Sequence, residues 1–350
     1  MKIGIDIRTF SKTSPQFCQE FLTTLAAISI GNEFCIYSDK DFSVPESMQK
    51  ITNEKFSQIW GQETAFLKQL KSDSCDTVVT FEESFPIWYK ERVFSFASSL
   101  EHIFYPDVEK ESFWKKHTRW WYLKKLLEKS QKIIAPTVAT KKELNERLNI
   151  PEDKIEIITP FFTQVPHGQS MLDVKMKLGI TGHYFVYDYP HQHNNNFKRT
   201  LQTLQEIRKK YQIFLVVLGS ENAANREARD QVRELGLDGV VYFVGQPSPE
   251  ELKNYYTQSI GVWYPIAYDN FPTTLGYAFS YNVPILASNN AEIQTVFGNS
   301  ILYFSPLSVG SMMQTIEGFL TQSQYVVNYE AVRQKYHPTA FCQNLFPLIV

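Results

Sequence analysis

The chain has 350 residues, enough for two domains at the usual size of about 100–200 residues each. Lys and Arg number 35 against 37 acids, a formal net charge of −2, so the strongly basic footprint of a nucleic-acid binder is absent. Hydrophobic residues at 43% and charged residues at 21%, with only 15 Gly and 17 Pro, exclude a low-complexity or disordered chain.

The opening MKIGIDIRTF reads as a strand over Lys2–Ile7, with an early Asp and Arg where an export signal needs an apolar core. No run reaches the roughly 18 apolar residues of a membrane span, so the expectation is a cytoplasmic chain, at most peripheral at the inner membrane face. Ser14 and Pro15 supply a cap and a first helical position, which predicts a helix to about Ile28. Strand-type runs follow at Glu33–Tyr37, Phe56–Ile59, Thr77–Phe81, Val93–Phe96 and Lys132–Ala135, with helix-period segments at Thr64–Lys71 and Ser112–Ser130. A helix to Leu148, a turn over Asn149–Asp153 and a strand at Lys154–Ile158 complete the first half. Thr159–Ser170 is rich in turn formers and has no period, which marks a linker.

The second half alternates more clearly. Strands are predicted at Tyr184–Asp188, Ile213–Leu218, Val240–Val244, Ile260–Trp263, Pro284–Ala287 and Ile301–Phe304. Between and after them lie helices Asn196–Lys210, Ala223–Glu234, Ser248–Gln258, Thr273–Tyr281, Glu292–Phe297 and Ser308–Leu320. Ser248-Pro249-Glu250-Glu251 has the form of a capping box with Pro at the first helical position. Strands alternating with helices require crossover connections and so parallel sheets. The expected organisation is an N-terminal Rossmann-like domain over 1–162, a C-terminal one over 171–325, and a helix and tail over 326–350 that packs back on the first domain.

Trp114–Lys129 (WKKHTRWWYLKKLLEK) sets six Lys and Arg among aromatic and Leu residues, an amphipathic pattern that suits either a solvated surface helix or a contact with anionic lipid. Cys18, Cys35, Cys75 and Cys342 form no C-x-x-C and read as core thiols. Parallel α/β sheets bind ligands beyond the carboxyl ends of their strands, where helix N-termini present free N–H groups, so a nucleotide or phosphate is expected there, in the cleft between the two domains.

Several segments, in order, resemble family-4 retaining glycosyltransferases of the GT-B type, whose two Rossmann-like domains face each other across a cleft. They are MKIGIDIR at the start, Ile133–Pro160, LVVLGS (Leu215–Ser220), Val240–Ser259, and YDNFPTTLGYAFSYNVPILAS (Tyr268–Ser288). The last block matches in length and position the family's donor motif, two glutamates eight positions apart around a Phe-Gly-Leu-Pro turn, followed by Gly-x-Pro. The resemblance implies a nucleotide-sugar donor, a glycan or lipid-linked acceptor, transfer with retention, and neither cofactor nor metal.

The site differs from the family pattern at most of its positions. Asp269 stands at the first glutamate, as the candidate catalytic group near the sugar, and Tyr277 at the second, facing the ribose. Pro272 replaces the glycine and has no N–H to offer a phosphate, which leaves Thr273, Thr274 and the helix start as phosphate ligands. In Asp188–Phe197 the family's Arg and Lys are missing; His191 and His193 carry charge only below a pKa of about 6.5, and Lys198 and Arg199 stand on the next helix. Gly219, Asn195 and Lys198 are further donor-binding candidates. In the first domain Arg8, Ser98 and Ser99 are the cleft candidates, the serines replacing a His-Asp pair, with His102 nearby. His191 and His193 lack the third ligand that a metal needs.

Losing a donor opposite a developing charge costs about 3–4 kcal/mol of transition-state stabilisation, so the missing cations raise a second reading. In it the chain is a non-catalytic relative that serves an active glycosyltransferase as partner or acceptor-binding subunit. A dinucleotide oxidoreductase is disfavoured because no G-x-G-x-x-G follows any strand.

Overall fold

The computed structural model describes residues 1–8, 10–58, 61–97, 113–163, 171–188, 196–219, 223–267, 271–322 and 327–350. The chain forms two compact units, one of Met1–Thr163 with Gln334–Val350, the other of Gln164–Arg333.

In the first unit seven parallel strands run in the order β3-β2-β1-β4-β5-β6-β7. They are β1 (Lys2–Asp6), β2 (Glu33–Ser38), β3 (Gln49–Thr52), β4 (Thr77–Thr80), β5 (Arg92–Phe96), β6 (Lys132–Ala135) and β7 (Ile155–Ile157). Both faces are covered, so the strands carry apolar residues on both sides. Ile3, Ile5 and Ile7 point to one face, where they join Phe17, Phe21 and Leu25 of helix Pro15–Ile28 and Phe341, Leu345 and Ile349 of helix Pro338–Ile349. Gly4, Tyr37 and Val78 lie on the other face with Phe56, Phe66 and Leu70. Much of the chain's 15% aromatic content is spent here: the Phe17 and Phe161 rings stack at 4.2 Å, and Phe341 meets Phe17, Phe21 and Phe161 edge-on at 5.6–5.8 Å.

The second unit has six parallel strands in the order β10-β9-β8-β11-β12-β13. They are β8 (His183–Asp188), β9 (Ile213–Leu218), β10 (Val241–Phe243), β11 (Gly261–Tyr264), β12 (Ile285–Ser288) and β13 (Leu302–Phe304). Helices Phe197–Ile207, Ala223–Glu234 and Val309–Thr321 bury Leu201, Leu204, Val232, Met312 and Ile316 against Phe185, Leu215 and Trp263. Of the expected capping box at helix Pro249–Thr257 the Ser248 cap forms, Ser248 Oγ accepting from the Glu251 N–H at 3.3 Å, while Glu251 Oε1 pairs with Lys177.

One predicted strand is absent. Phe56 belongs to a 3-10 turn over Glu54–Ser57, opened by Asn53, whose side chain accepts from the Lys55 N–H. Its buried ring belongs to the core, which is why the run looked strand-like. The strand is instead Gln49–Thr52, an edge strand whose exposed polar residues give no apolar signal.

Candidate functional site

Both sheets have the same winding order, with the chain turning one way from the first strand of the unit and the other way from the fourth. In sheets wound this way the carboxyl ends of those two adjacent strands are the usual place for a ligand. In the second unit that point lies between β8 and β11, whose ladder pairs Gly261 with Phe185 and Val262 with Val186. The two segments that carry the sequence candidates both leave from it: Asp188 and helix Phe197–Ile207 after β8, and the Phe271–Thr274 turn and helix Leu275–Ser280 after β11. Asp269 and Asn195, together with His191 and His193, lie outside the described residues.

The two helix starts differ in what their first turns hold. Asn196 begins helix Phe197–Ile207 in the left-handed region at φ +58°, held by its amide donating to the Pro306 carbonyl, and its own side chain makes no cap hydrogen bond to the first turn. That turn contains no acid; it holds Lys198 and Arg199, both exposed, and Arg199 Nη1 donates to Asn196 Oδ1 at 3.0 Å. Two cations at the positive end of a helix dipole are unfavourable by themselves, and an anion at a helix start relieves such a pair.

The turn after β11 offers less than its sequence suggests. The Thr273 N–H donates to the Phe271 carbonyl at 2.8 Å, the Leu275 N–H to Pro272 at 3.0 Å and the Gly276 N–H to Thr273 at 3.0 Å. Thr274 Oγ1 donates to the Tyr264 hydroxyl at 3.3 Å. Backbone donors there are thus largely used in closing the turn, and Thr273 keeps an exposed hydroxyl side chain. Tyr277 is half-buried, its ring 5.8 Å from that of Tyr256, which in turn lies 6.3 Å from Tyr281. The Tyr256 hydroxyl is buried without a hydrogen-bond partner. Burial pushes the Asp188 carboxyl up to about 7, and the Asp188 charge adds to the burial that raises the Tyr256 hydroxyl. Sequence reasoning passed over Asp188 and Tyr256; the only signal for Asp188 is an acid closing an otherwise apolar strand. Gly219 follows β9 at φ +136°, a conformation open to glycine alone, with its N–H on the Gly245 carbonyl at 2.8 Å.

The corresponding point of the first unit, between β1 and β4, is filled by the protein's own charges. Arg8 is 2% exposed; Nε and Nη2 bind the Asp6 carboxylate at 2.8 and 3.1 Å, Nη1 the Phe56 carbonyl and Nη2 the Ser84 carbonyl, and the guanidinium lies 4.3 Å over the Phe66 ring. Its charge is committed inside the unit. Glu82 accepts the Phe10 N–H at 3.0 Å, where a Rossmann turn would hold phosphate, and Lys12 pairs with Asp39 at the end of β2. Ser98, Ser99 and His102 lie outside the described residues. Among the described residues no cluster of three His, Cys, Asp or Glu has the arrangement of a metal site.

Residues 187–331 match the family of glycosyl transferases group 1. That span runs from the end of β8 through both segments of the switch point. The whole chain shares its fold with sucrose-phosphate synthase from Thermosynechococcus elongatus (16% identity, 99% of this chain and 98% of that one, TM-score 0.77). It is similarly close to Anabaena HepE, solved in complex with UDP and glucose (13%, 99% and 99%, 0.75), and to a glycosyltransferase from Rickettsia africae (14%, 99% and 97%, 0.71). These are GT-B proteins, and the two parallel-sheet units here have that fold. A search of curated protein sequences returned no match.

Proposed function

We propose that this chain is a glycosyltransferase that takes a sugar from a nucleotide-sugar donor and passes it, with retention, to a glycan or lipid-linked acceptor. The observation that carries the reading is the group 1 match over the switch point of the second unit, where helix Phe197–Ile207 presents an amino end with Lys198 and Arg199 in its first turn. In this reading the donor diphosphate sits on that helix end, its charge met by the two cations. Thr273 and Thr274 border it, Tyr277 faces the ribose, Asp269 orients the sugar, and Gly219 lets the backbone approach. The first unit holds the acceptor, because its own Rossmann turn is already occupied by Glu82. The family match does not favour the alternative of a non-catalytic partner subunit.

The test is turnover: incubation with UDP- and GDP-sugars and a panel of sugar and polyprenyl-phosphate acceptors, following nucleoside diphosphate release and the anomeric configuration of any product by NMR. Diphosphate release with a retained anomer, lost in Asp269→Ala, supports the proposal; inversion at the anomeric carbon refutes retention.

A peripheral membrane contact is proposed for helix Phe113–Lys129, where Trp121 is 45% exposed on a basic helix. Its charge is partly spent locally, since Arg119 pairs with Glu83, Lys124 and Lys125 share Glu128, and Lys129 binds the Pro86 and Tyr89 carbonyls. Flotation with phosphatidylglycerol vesicles tests it: binding weakened by Trp121→Ala is expected, and equal binding of both proteins refutes it.

A further inference from the structure

In the second unit β8 sends its side chains alternately to the two faces of the sheet. Tyr187 turns to helix Phe197–Ile207, its ring 5.3 Å from that of Phe197. On the opposite face the Tyr184 hydroxyl donates to the Tyr255 carbonyl at 2.8 Å, so helix Pro249–Thr257 covers that side. Asp188, four residues after Tyr184, closes the strand on the same face. Its charge acts on Tyr256, which is 1% exposed and whose ring lies 5.8 Å from that of Tyr277 and 6.3 Å from that of Tyr281, at the end of helix Leu275–Ser280.

The polar atoms of this cluster are unspent. The Tyr256 and Tyr281 hydroxyls are buried with no hydrogen-bond partner. No cation or hydrogen-bond donor among the described residues stabilises the Asp188 carboxylate, so its desolvation at the strand end is unopposed. Orphaned buried hydroxyls cost stability, and a bound molecule is one of the few things that offsets that cost. Asp188 keeps partial exposure, which leaves the cluster reachable from solvent.

The donor and acceptor inventory selects the ligand. A carboxylate only accepts, and its two oxygens suit two adjacent hydroxyl donors, while a tyrosine hydroxyl both donates and accepts. With no cation in the cluster, Asp188 repels a phosphate or carboxylate ligand. One carboxyl is too few ligands for a metal, and no metal-type cluster occurs among the described residues. A neutral vicinal diol, as on a sugar ring, matches all three groups.

We propose that Asp188, with the Tyr256 hydroxyl beside it, holds a vicinal diol of the donor and so selects for an intact sugar. This role rests on the nucleotide-sugar reading above and adds the group that the sugar hydroxyls meet. A nucleotide sugar carries such a diol on its ribose and on its hexose, and the cluster has the same chemistry for either.

Calorimetric titration of the full-length protein with UDP, GDP, their 2′,3′-dideoxy forms, UDP-glucose and GDP-mannose tests this, repeated on Asp188→Asn and Tyr256→Phe. Wild-type affinity should fall roughly tenfold or more on loss of the ribose diol, or rise by as much on gain of the hexose, as for a hydrogen bond to a charged group. The first result assigns the ribose and the second the hexose. Either gap should shrink in both variants, while affinity for the ligand without that diol stays unchanged. A merely structural hydroxyl gives another pattern: Tyr256→Phe melts at a higher temperature and binds every ligand as the wild type does. That pattern, a gap that survives Asp188→Asn, or nucleotide binding with no gap in the wild type overturns the diol role and leaves the donor reading standing. Absence of binding by every nucleotide overturns both.

Discussion

At the scale of single residues, the contrast between Arg8 and the Lys198–Arg199 pair separates structural charge from charge available to a ligand. Arg8 is a buried cation whose partner Asp6 is itself fully buried and also accepts from Thr80 Oγ1 at 2.9 Å. Truncating one member of such a pair strands the other, so Arg8→Ala should cost about 3–5 kcal/mol in denaturant unfolding, and a loss below about 1 kcal/mol would contradict the buried-pair account. Asp188 gives a pH signature. Its carboxyl titrates near 7 when folded and near the ordinary Asp value of about 3.9 when unfolded, so the folded form holds the extra proton between those values. The stability contributed by Asp188 is therefore present below pH 4, falls as pH rises toward 7 and is constant above. Asp188→Asn should flatten that part of a thermal-midpoint profile taken from pH 4 to 8; an unchanged slope would show that burial does not raise the group. Neither role was legible in the sequence, because an Arg beside an Asp-ended strand reads equally as a cleft residue until its carbonyl partners, 48 and 76 positions away, are known.

At the scale of elements, the strands were legible wherever both faces are buried, since runs such as IFLVVL need no pattern beyond continuous apolarity. Reading failed at the sheet edge, where Gln49–Thr52 is half in water and a core phenylalanine in the neighbouring turn imitated a strand. The helices were located by their caps, Ser14-Pro15 and Ser248-Pro249 among them. What a helix start has left to donate was not legible: neither Thr274 nor Asn196 makes a side-chain cap bond to its helix, and the first turn after Pro272 is closed by its own backbone bonds. The final helix, Pro338–Ile349, illustrates how distant sequence completes a core. Phe341 is buried among Phe17, Phe21, Phe96 and Phe161, so Phe341→Ala should cost about 3–5 kcal/mol by loss of burial and cavity formation. Chemical denaturation measures this, and a cost under about 1 kcal/mol would mean that the helix is only loosely attached to the first unit.

At the scale of the whole molecule, two sheets of the same winding order have been put to different uses. The first has closed its nucleotide-type turn with Glu82, Lys12 and the Arg8–Asp6 pair; the second has at the equivalent place a helix with two cations in its first turn and no cap bond from the Asn196 side chain. The GT-B fold was legible from the order and spacing of segments, because crossover connections dictate parallel sheets whatever the side chains at the site. At the expected donor motif this sequence carries other side chains than the family's, and Lys198 and Arg199 stand on the helix that follows.

Calorimetric titration of UDP and GDP into the wild-type protein and a Lys198→Ala/Arg199→Ala variant tests the central claim, that the second unit binds a nucleoside diphosphate on the Phe197 helix. One site per chain is predicted, weakened by roughly tenfold or more for each charge-assisted contact removed. Equal affinity in the two proteins, or no heat from either nucleotide, would contradict it.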